Sequence, residues 1–172
     1  MSALANNYKR KKLSFVRGKG SFLITTDGKK YLDFVQGIAV NSLGHTNKKL
    51  VSAINKQSKK VWHVSNAFLI PEGEKLAKKL VKRSFADSVI FQNSGAEATE
   101  AAIKVARRYF YSVGKKHKTR IICIRNSFHG RTIAAIHASG SKKMIQGFGP
   151  KVQGFDHFEF GNHNQLKKLI NK

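Results

Sequence analysis

Two short stretches of this chain carry residues that could do chemistry together. "QNSGAEATEAAIKVARRYF" (92–110) opens with a small-residue turn and runs on as an amphipathic helix, and "NSFHGRT" (126–132) sets an aromatic ring, an imidazole and a guanidinium on one loop. Ser94 and Glu97 have capping-box spacing. The serine hydroxyl can accept the N–H of position 97 while the glutamate reaches back to the N–H of position 94. That cap needs no ligand. Gly95 asks for a further reason, because glycine in a first turn costs roughly 1 kcal/mol or less against alanine. What it offers is a backbone that an anion can approach with no Cβ in the way. The unpaired N–H groups of Gly95 and Ala96, with the helix dipole behind them, would then hold a phosphate.

The second stretch follows a β-branched strand, at the carboxyl end where open α/β sheets bind ligands. There Phe128 could stack on a planar ring, and Arg131 could clamp a carboxylate with its planar fork. His129 joins them as a polar contact. Each also has an ordinary alternative, as a core aromatic, a satisfied polar neighbour and a surface cation.

The elements that would position these residues are legible from periodicity. Around Asp27-Gly28, the apolar runs of "GSFLITTDGKKYLDFV" (20–35) predict a hairpin whose turn takes its positive-φ positions from that dipeptide. "NKKLVSAINKQSKKVW" (47–62) and "PEGEKLAKKLVKRS" (71–84) repeat at helical spacing, the latter after a proline at its entrance. "SVIFQNS" predicts a strand, the run from Ser94 a helix ending near Gly114, and "TRIICIRNS" a second strand, together a strand–helix–strand unit favouring parallel pairing. On the helix, Ala98, Ala102, Val105 and Tyr109 form the predicted core face. Glu100, Lys104 and Arg108 form the solvent face, with Glu100 and Lys104 as an i, i+4 pair. "GRTIAAIHASG" reads as helix or strand, "GFGPKVQGF" as a connection into a short strand, and "NQLKKLINK" as a terminal helix.

Composition narrows the partners. The 33 Lys and Arg against 9 Asp and Glu give +24, a charge that by itself suits a polyanion. The cations are spread in pairs, however, at 29, 48, 59, 78, 115, 142 and 167, as on solvated helix faces. "KRKK" at 9–12 reads as a solvated N-terminus. Neither zinc-ligand spacing nor an aromatic-basic RNA signature accompanies the charge, so nucleic acid is not the expected partner and no metal site is expected. Cys123, the one cysteine, sits in the apolar run "RIICIR" and reads as a core residue in a reducing compartment. No run approaches the roughly 18 apolar residues of a membrane span, and the basic N-terminus lacks a signal-peptide core. A soluble cytoplasmic chain of about one domain is the expectation.

Taken in order, "NSGAEATEAAIKVARRY" and "SFHGRT", with "GKGSFLITTDGKKYLDFVQGIAVNSLGH" (18–45), "VWHVSN" (61–66) and "GFGPKVQGF" (147–155), resemble the class III pyridoxal-phosphate-dependent aminotransferases, and within them the acetylornithine branch. The resemblance spans nearly the whole chain. It implies an α/β fold of the PLP-dependent transferase type I, aspartate aminotransferase-like: a small-domain segment over 1–60, then the first, incomplete part of the PLP-binding large domain over 61–172. It further implies pyridoxal phosphate as cofactor, held by Ser94, Gly95 and Ala96 at its phosphate and by Phe128 at its ring, with His129 as a further cofactor contact. Arg131 would grip the substrate carboxylate. The implied reaction moves the δ-amino group of N-acetylornithine to 2-oxoglutarate, in arginine biosynthesis, within a homodimer. The 4-aminobutyrate and ornithine enzymes of the same class are alternatives, as are a basic nucleic-acid-binding module and an inactive remnant, and "GIAVNSLGH" resembles the loop lining the substrate entrance. Family members are much longer, and their Schiff-base lysine lies beyond the matched region, so no catalytic residue is assigned in this chain. Thr99 stands where the family usually has asparagine. A sheet cut part-way predicts an exposed strand edge, marginal stability and a tendency to associate.

Overall fold

The structure, a computed structural model, describes residues 3–170; the last two residues of "NQLKKLINK" lie outside the described residues. The chain divides into two compact units, Met1–Glu74 and Lys75–Lys172.

In the first unit, β1 (Phe15–Lys19), β2 (Phe22–Thr25) and β3 (Lys30–Leu32) form an antiparallel sheet in that order. The predicted hairpin is β2–β3, but its turn differs from the expected one. Only Gly28 has positive φ, at 82°. The Gly28 N–H closes a four-residue turn on the Thr25 carbonyl at 3.0 Å, and the Thr25 N–H then pairs with the Lys29 carbonyl. Asp27 contributes through its side chain instead, accepting from the Thr25 hydroxyl and pairing with Lys29 at 2.9 Å. β1 was not among the predicted elements, because "FVRGK" is short and carries an arginine and a glycine.

Beyond the sheet, α1 (Gln36–Ala39) is a single turn in which all four residues have φ between 49° and 66°. Ile38 is β-branched there, a conformation that surrounding bonds must hold. Asp33 supplies them: its Oδ1 accepts the N–H of Gln36 at 2.8 Å and of Val35 at 3.1 Å. Its Oδ2 lies 2.8 Å from His45 Nε2, and Asn41 Nδ2 lies 2.9 Å from His45 Nδ1. Asn41 thus donates to Nδ1, and the proton on Nε2 points at Asp33. The Gln36 N–H first, and His45 second, hold the Asp33 carboxyl below its usual range. A lowered folded value means that the stabilisation is complete above the unfolded value, about 3.9, and fades as pH falls through the folded one. Asp33→Asn is therefore expected to lower the unfolding midpoint at neutral pH. Acid-limb denaturation should show the gap from wild type closing below about pH 4. α2 (Lys48–Gln57) follows, capped by Asn47, whose Oδ1 accepts the N–H of Lys49 at 3.0 Å.

α3 (Pro71–Val81) leads into the second unit. There α4 (Gly95–Ser112), β4 (Ile121–Ile124), α5 (Ile133–Ser139), α6 (Lys142–Ile145), β5 (Phe155–Phe158) and α7 (His163–Ile170) follow in order. β4 and β5 pair in parallel, Ile121 opposite Phe155 through Ile124 opposite Phe158. Arg120 forks onto Asp156 at one end of the pair, and Arg125 meets Glu159 at 2.8 Å at the other. Ile103 of α4, Cys123 of β4, Ala138 of α5 and Phe155 of β5 form the core. The ambiguous segment after 130 is thus a helix, buried from Ala135 to Ser139. Burial raises the Cys123 thiol above its ordinary value, which fits the core role.

Two expectations are corrected here. The "SVIFQNS" segment forms no strand, and Ile90 and Phe91 are exposed. A strand exists only through a ladder, and no described segment lies beside this one to supply it, so the parallel unit is β4–α5–α6–β5 instead. The face of α4 is also rotated from the predicted one. Val105 and Tyr109 are 51% and 60% exposed, while Ala96, Glu100, Ile103, Arg107 and Phe110 are among the residues turned inward. Ile103 meets the core, and Arg107 reaches across to the carbonyls of Thr119 and Gln153. The helix is apolar on more than one side, so periodicity alone could not choose the side that packs.

Candidate functional site

The start of α4 is capped as predicted on one side only. Ser94 is extended and its Oγ accepts the Glu97 N–H at 3.2 Å. Glu97 does not reach the Ser94 N–H; its Oε2 accepts the Ser94 hydroxyl at 3.1 Å. The hydroxyl and carboxylate are thereby engaged with each other, and the N–H groups of Gly95 and Ala96 are left to an outside acceptor. Nothing stands in the way. A Cβ built on Gly95 would meet no atom within 4 Å. The Thr99 hydroxyl closes on the Gly95 carbonyl at 3.0 Å, tying down the other side of that residue.

The 126–132 loop lies on this same helix. Asn126 turns the chain out of β4 with φ 59° and gives its N–H to the Ser139 carbonyl at 2.7 Å. Ser127 Oγ donates to the Ile124 carbonyl at 2.6 Å and lies 2.8 Å from His129 Nε2. The single hydroxyl proton is spent on Ile124, so His129 carries its proton on Nε2 and donates to Ser127. Gly130 is buried, and a Cβ there would come within 2.8 Å of Ala96 Cβ. Thr132 caps α5 by accepting the Ala135 N–H at 3.2 Å, and gives its own proton to Glu100 Oε1 at 2.5 Å.

Of the predicted site residues, Ser94, Gly95 and Ala96 stand together at the helix start, and the loop packs on Ala96 through Gly130. Phe128 is 69% exposed, with the Arg131 guanidinium carbon 5.5 Å from its ring centroid. These two, read as contacts to different ligand groups, are stacked on each other. His129 is half-buried beside a cavity of about 520 Å³ between α4 and β4, lined also by Thr99, Ala102, Ile103 and Cys123. Glu100, Thr132 and Ser127 were missed as loop anchors. Thr132 had a usable signal, since a threonine just before an apolar helical run is a cap candidate. Glu100 had none. Among the described residues there is no cluster of three or more His, Cys, Asp or Glu that could hold a metal, and no helix long and apolar enough to cross a membrane.

The structure thus sets an open amide pole at the start of α4 beside a loop that carries a ring and a guanidinium. The chain belongs to the class III aminotransferases, whose family model matches residues 3–171. Its curated relatives include the acetylornithine aminotransferases of Agrobacterium fabrum, 54% identical over 97% of this chain, and of Rhodobacter capsulatus, 47% identical over 99%. Solved neighbours include the ornithine aminotransferase of Toxoplasma gondii, with TM-score 0.92 and 26% identity over 99% of this chain. Another is an omega-transaminase of Thermomicrobium roseum, with TM-score 0.82 and 31% identity over 92%. The chain spans 42% and 43% of those two relatives, and 41% and 39% of those two structures. The fold is therefore part of a PLP-dependent transferase of fold type I, and pyridoxal phosphate is the cofactor that this class implies.

Proposed function

We propose that this chain supplies the phosphate and ring contacts of an acetylornithine aminotransferase, which moves the δ-amino group of N-acetylornithine to 2-oxoglutarate. The open amide pole at Gly95, with the 126–132 loop packed beside it, carries the cofactor assignment. Ser94, Gly95 and Ala96 would hold the phosphate, and Phe128 and His129 would lie against the ring. Bound there, pyridoxal phosphate would supply an electron sink for the negative charge left on the amino-bearing carbon when its proton is removed. Arg131 would orient the substrate carboxylate as a planar fork, and its stacking on Phe128 couples the two contacts. Identity near one half to acetylornithine enzymes supports that donor over ornithine, whose enzyme shares the fold at 26% identity. In this reading residues 1–60 would be a small-domain segment and 61–172 the beginning of the large domain, in a cytoplasmic homodimer, although the two compact units divide at Glu74 and Lys75.

Titration with pyridoxal phosphate is expected to shift the backbone amides of Gly95 and Ala96, and unchanged amides would refute the assignment. For the donor, the chain joined to a C-terminal half like that of its relatives should transaminate acetylornithine faster than 4-aminobutyrate. The charge of +24 favours one other reading, a basic module on nucleic acid, which predicts retention that falls steeply with salt.

A further inference from the structure

We propose that Glu100 and Thr132 are positioning residues. Their hydrogen bond straps the 127–131 loop to the first turns of α4 and so sets where Phe128 and Arg131 stand relative to the free amides of Gly95 and Ala96. The proposal rests on the cofactor reading above and adds two residues that the reading does not use.

Ala96 and Glu100 are four residues apart on one stripe of α4, about 6 Å along the axis. Gly130 and Thr132 are two residues apart across a bend in which Gly130 has φ 117°. The loop meets the stripe at both of them. Gly130 lies against Ala96, and Thr132 bonds Glu100. Burial follows the same alternation, with Gly130 buried and Thr132 half-buried while Phe128 and Arg131 are exposed. The residues that touch the helix are thus distinct from those left free to meet a ligand.

Thr132 Oγ1 is used twice, accepting from Ala135 and donating to Glu100, so one hydroxyl joins α4, the loop and the start of α5. The other end of the loop is pinned separately, by the Asn126 N–H on Ser139 and the Ser127 hydroxyl on Ile124. Between the two pins, Gly130 has no polar side chain to fix it, and its place on Ala96 depends on both anchors. Glu100 has Lys104 one turn away on its own helix, yet it is half-buried and bonded to Thr132. Hydrogen bonds to an ionised acceptor are the stronger kind.

Charge makes the proposal separable from simple electrostatics. A carboxylate in the second turn of α4 opposes an anion at its start, so removing it should by Coulomb's law alone tighten phosphate binding. The strap predicts the opposite for any variant that removes the acceptor. In the full chain, Glu100→Ala and Thr132→Val are expected to abolish the nuclear Overhauser effect between the Ala96 methyl and the Gly130 α-protons. Both should also weaken pyridoxal phosphate binding about tenfold, read from the Gly95 and Ala96 amides. Glu100→Gln keeps an acceptor without the charge, and Thr132→Ser keeps the hydroxyl. Both should retain the Overhauser effect and bind at least as well as wild type. Helical amide shifts along α4 report that each variant is folded. A Glu100→Ala chain that still shows the effect, or binds as tightly as wild type or tighter, overturns the proposal. Absence of amide shifts in the wild type would sink the cofactor reading instead. The Overhauser effect, absent in Glu100→Ala and restored in Glu100→Gln, would still decide the strap.

Discussion

Gly130→Ala is expected to destabilise the chain by about 2–5 kcal/mol and to lift the 127–131 loop from α4, the sum of a strained backbone and an overpacked contact. Gly130 has φ 117°, which side-chain-bearing L residues rarely adopt, and its added Cβ would lie 2.8 Å from Ala96 Cβ and 3.0 Å from Ala96 Cα. The second atom belongs to helix backbone, so relief must come from the loop. Chemical denaturation gives the loss directly. Gly95→Ala is the informative partner. Its Cβ meets nothing within 4 Å, and alanine in a helix should stabilise by roughly 1 kcal/mol or less. The same methyl group would stand where an anion approaches the amides, so pyridoxal phosphate should bind more weakly to a more stable protein. A glycine kept only for folding would show no such opposition between stability and binding.

How much of this was legible without coordinates differs from element to element. Local signals carried the positions of elements, though not every detail: the place of the hairpin turn at Asp27-Gly28 (with positive φ at Gly28 alone), the proline entrance of α3, and Ser94 as a one-sided cap each depend on neighbours within a few residues. What failed depended on partners far along the chain. "SVIFQNS" has strand composition, yet no described strand lies beside it and Ile90 stays exposed. The side of α4 that packs is chosen by β4 and β5 through Ile103, and by Thr132 through Glu100, 32 residues away. Leu50 and Val51 on α2, and Leu76 and Leu80 on α3, are amphipathic as read but remain exposed. The chain spans 42% of the length of the Agrobacterium relative, and a periodic apolar stripe says that a face can be covered, not by which segment. The two stretches singled out for their chemistry do close on each other, through Gly130 on Ala96 and Thr132 on Glu100, and each was picked out by residue types that lie within a few positions of one another.

Phe155→Ala should cost about 3–5 kcal/mol, the range for removing a buried phenylalanine side chain. Phe155 is 6% exposed, packs with Ile103, Cys123 and Ala138, and has the Arg107 guanidinium carbon 5.5 Å from its ring centroid. Few residues share its burden, since the buried hydrophobic cluster among the described residues is small, and a loss of that size approaches the whole stability of an ordinary small domain. The consequence reaches the site through the sheet. β5 is the strand paired with β4, β4 ends at Ile124, and Ile124 accepts the Ser127 hydroxyl that anchors the loop. Phe155→Leu keeps most of the apolar volume and should cost less than about 1.5 kcal/mol. Denaturant titration gives the two costs. The Overhauser effect between Ala96 and Gly130 should vanish in Phe155→Ala and persist in Phe155→Leu. If it survived in an alanine variant whose β4–β5 pairing had melted, the loop would be held by α4 alone. The sheet would then have no part in positioning the site.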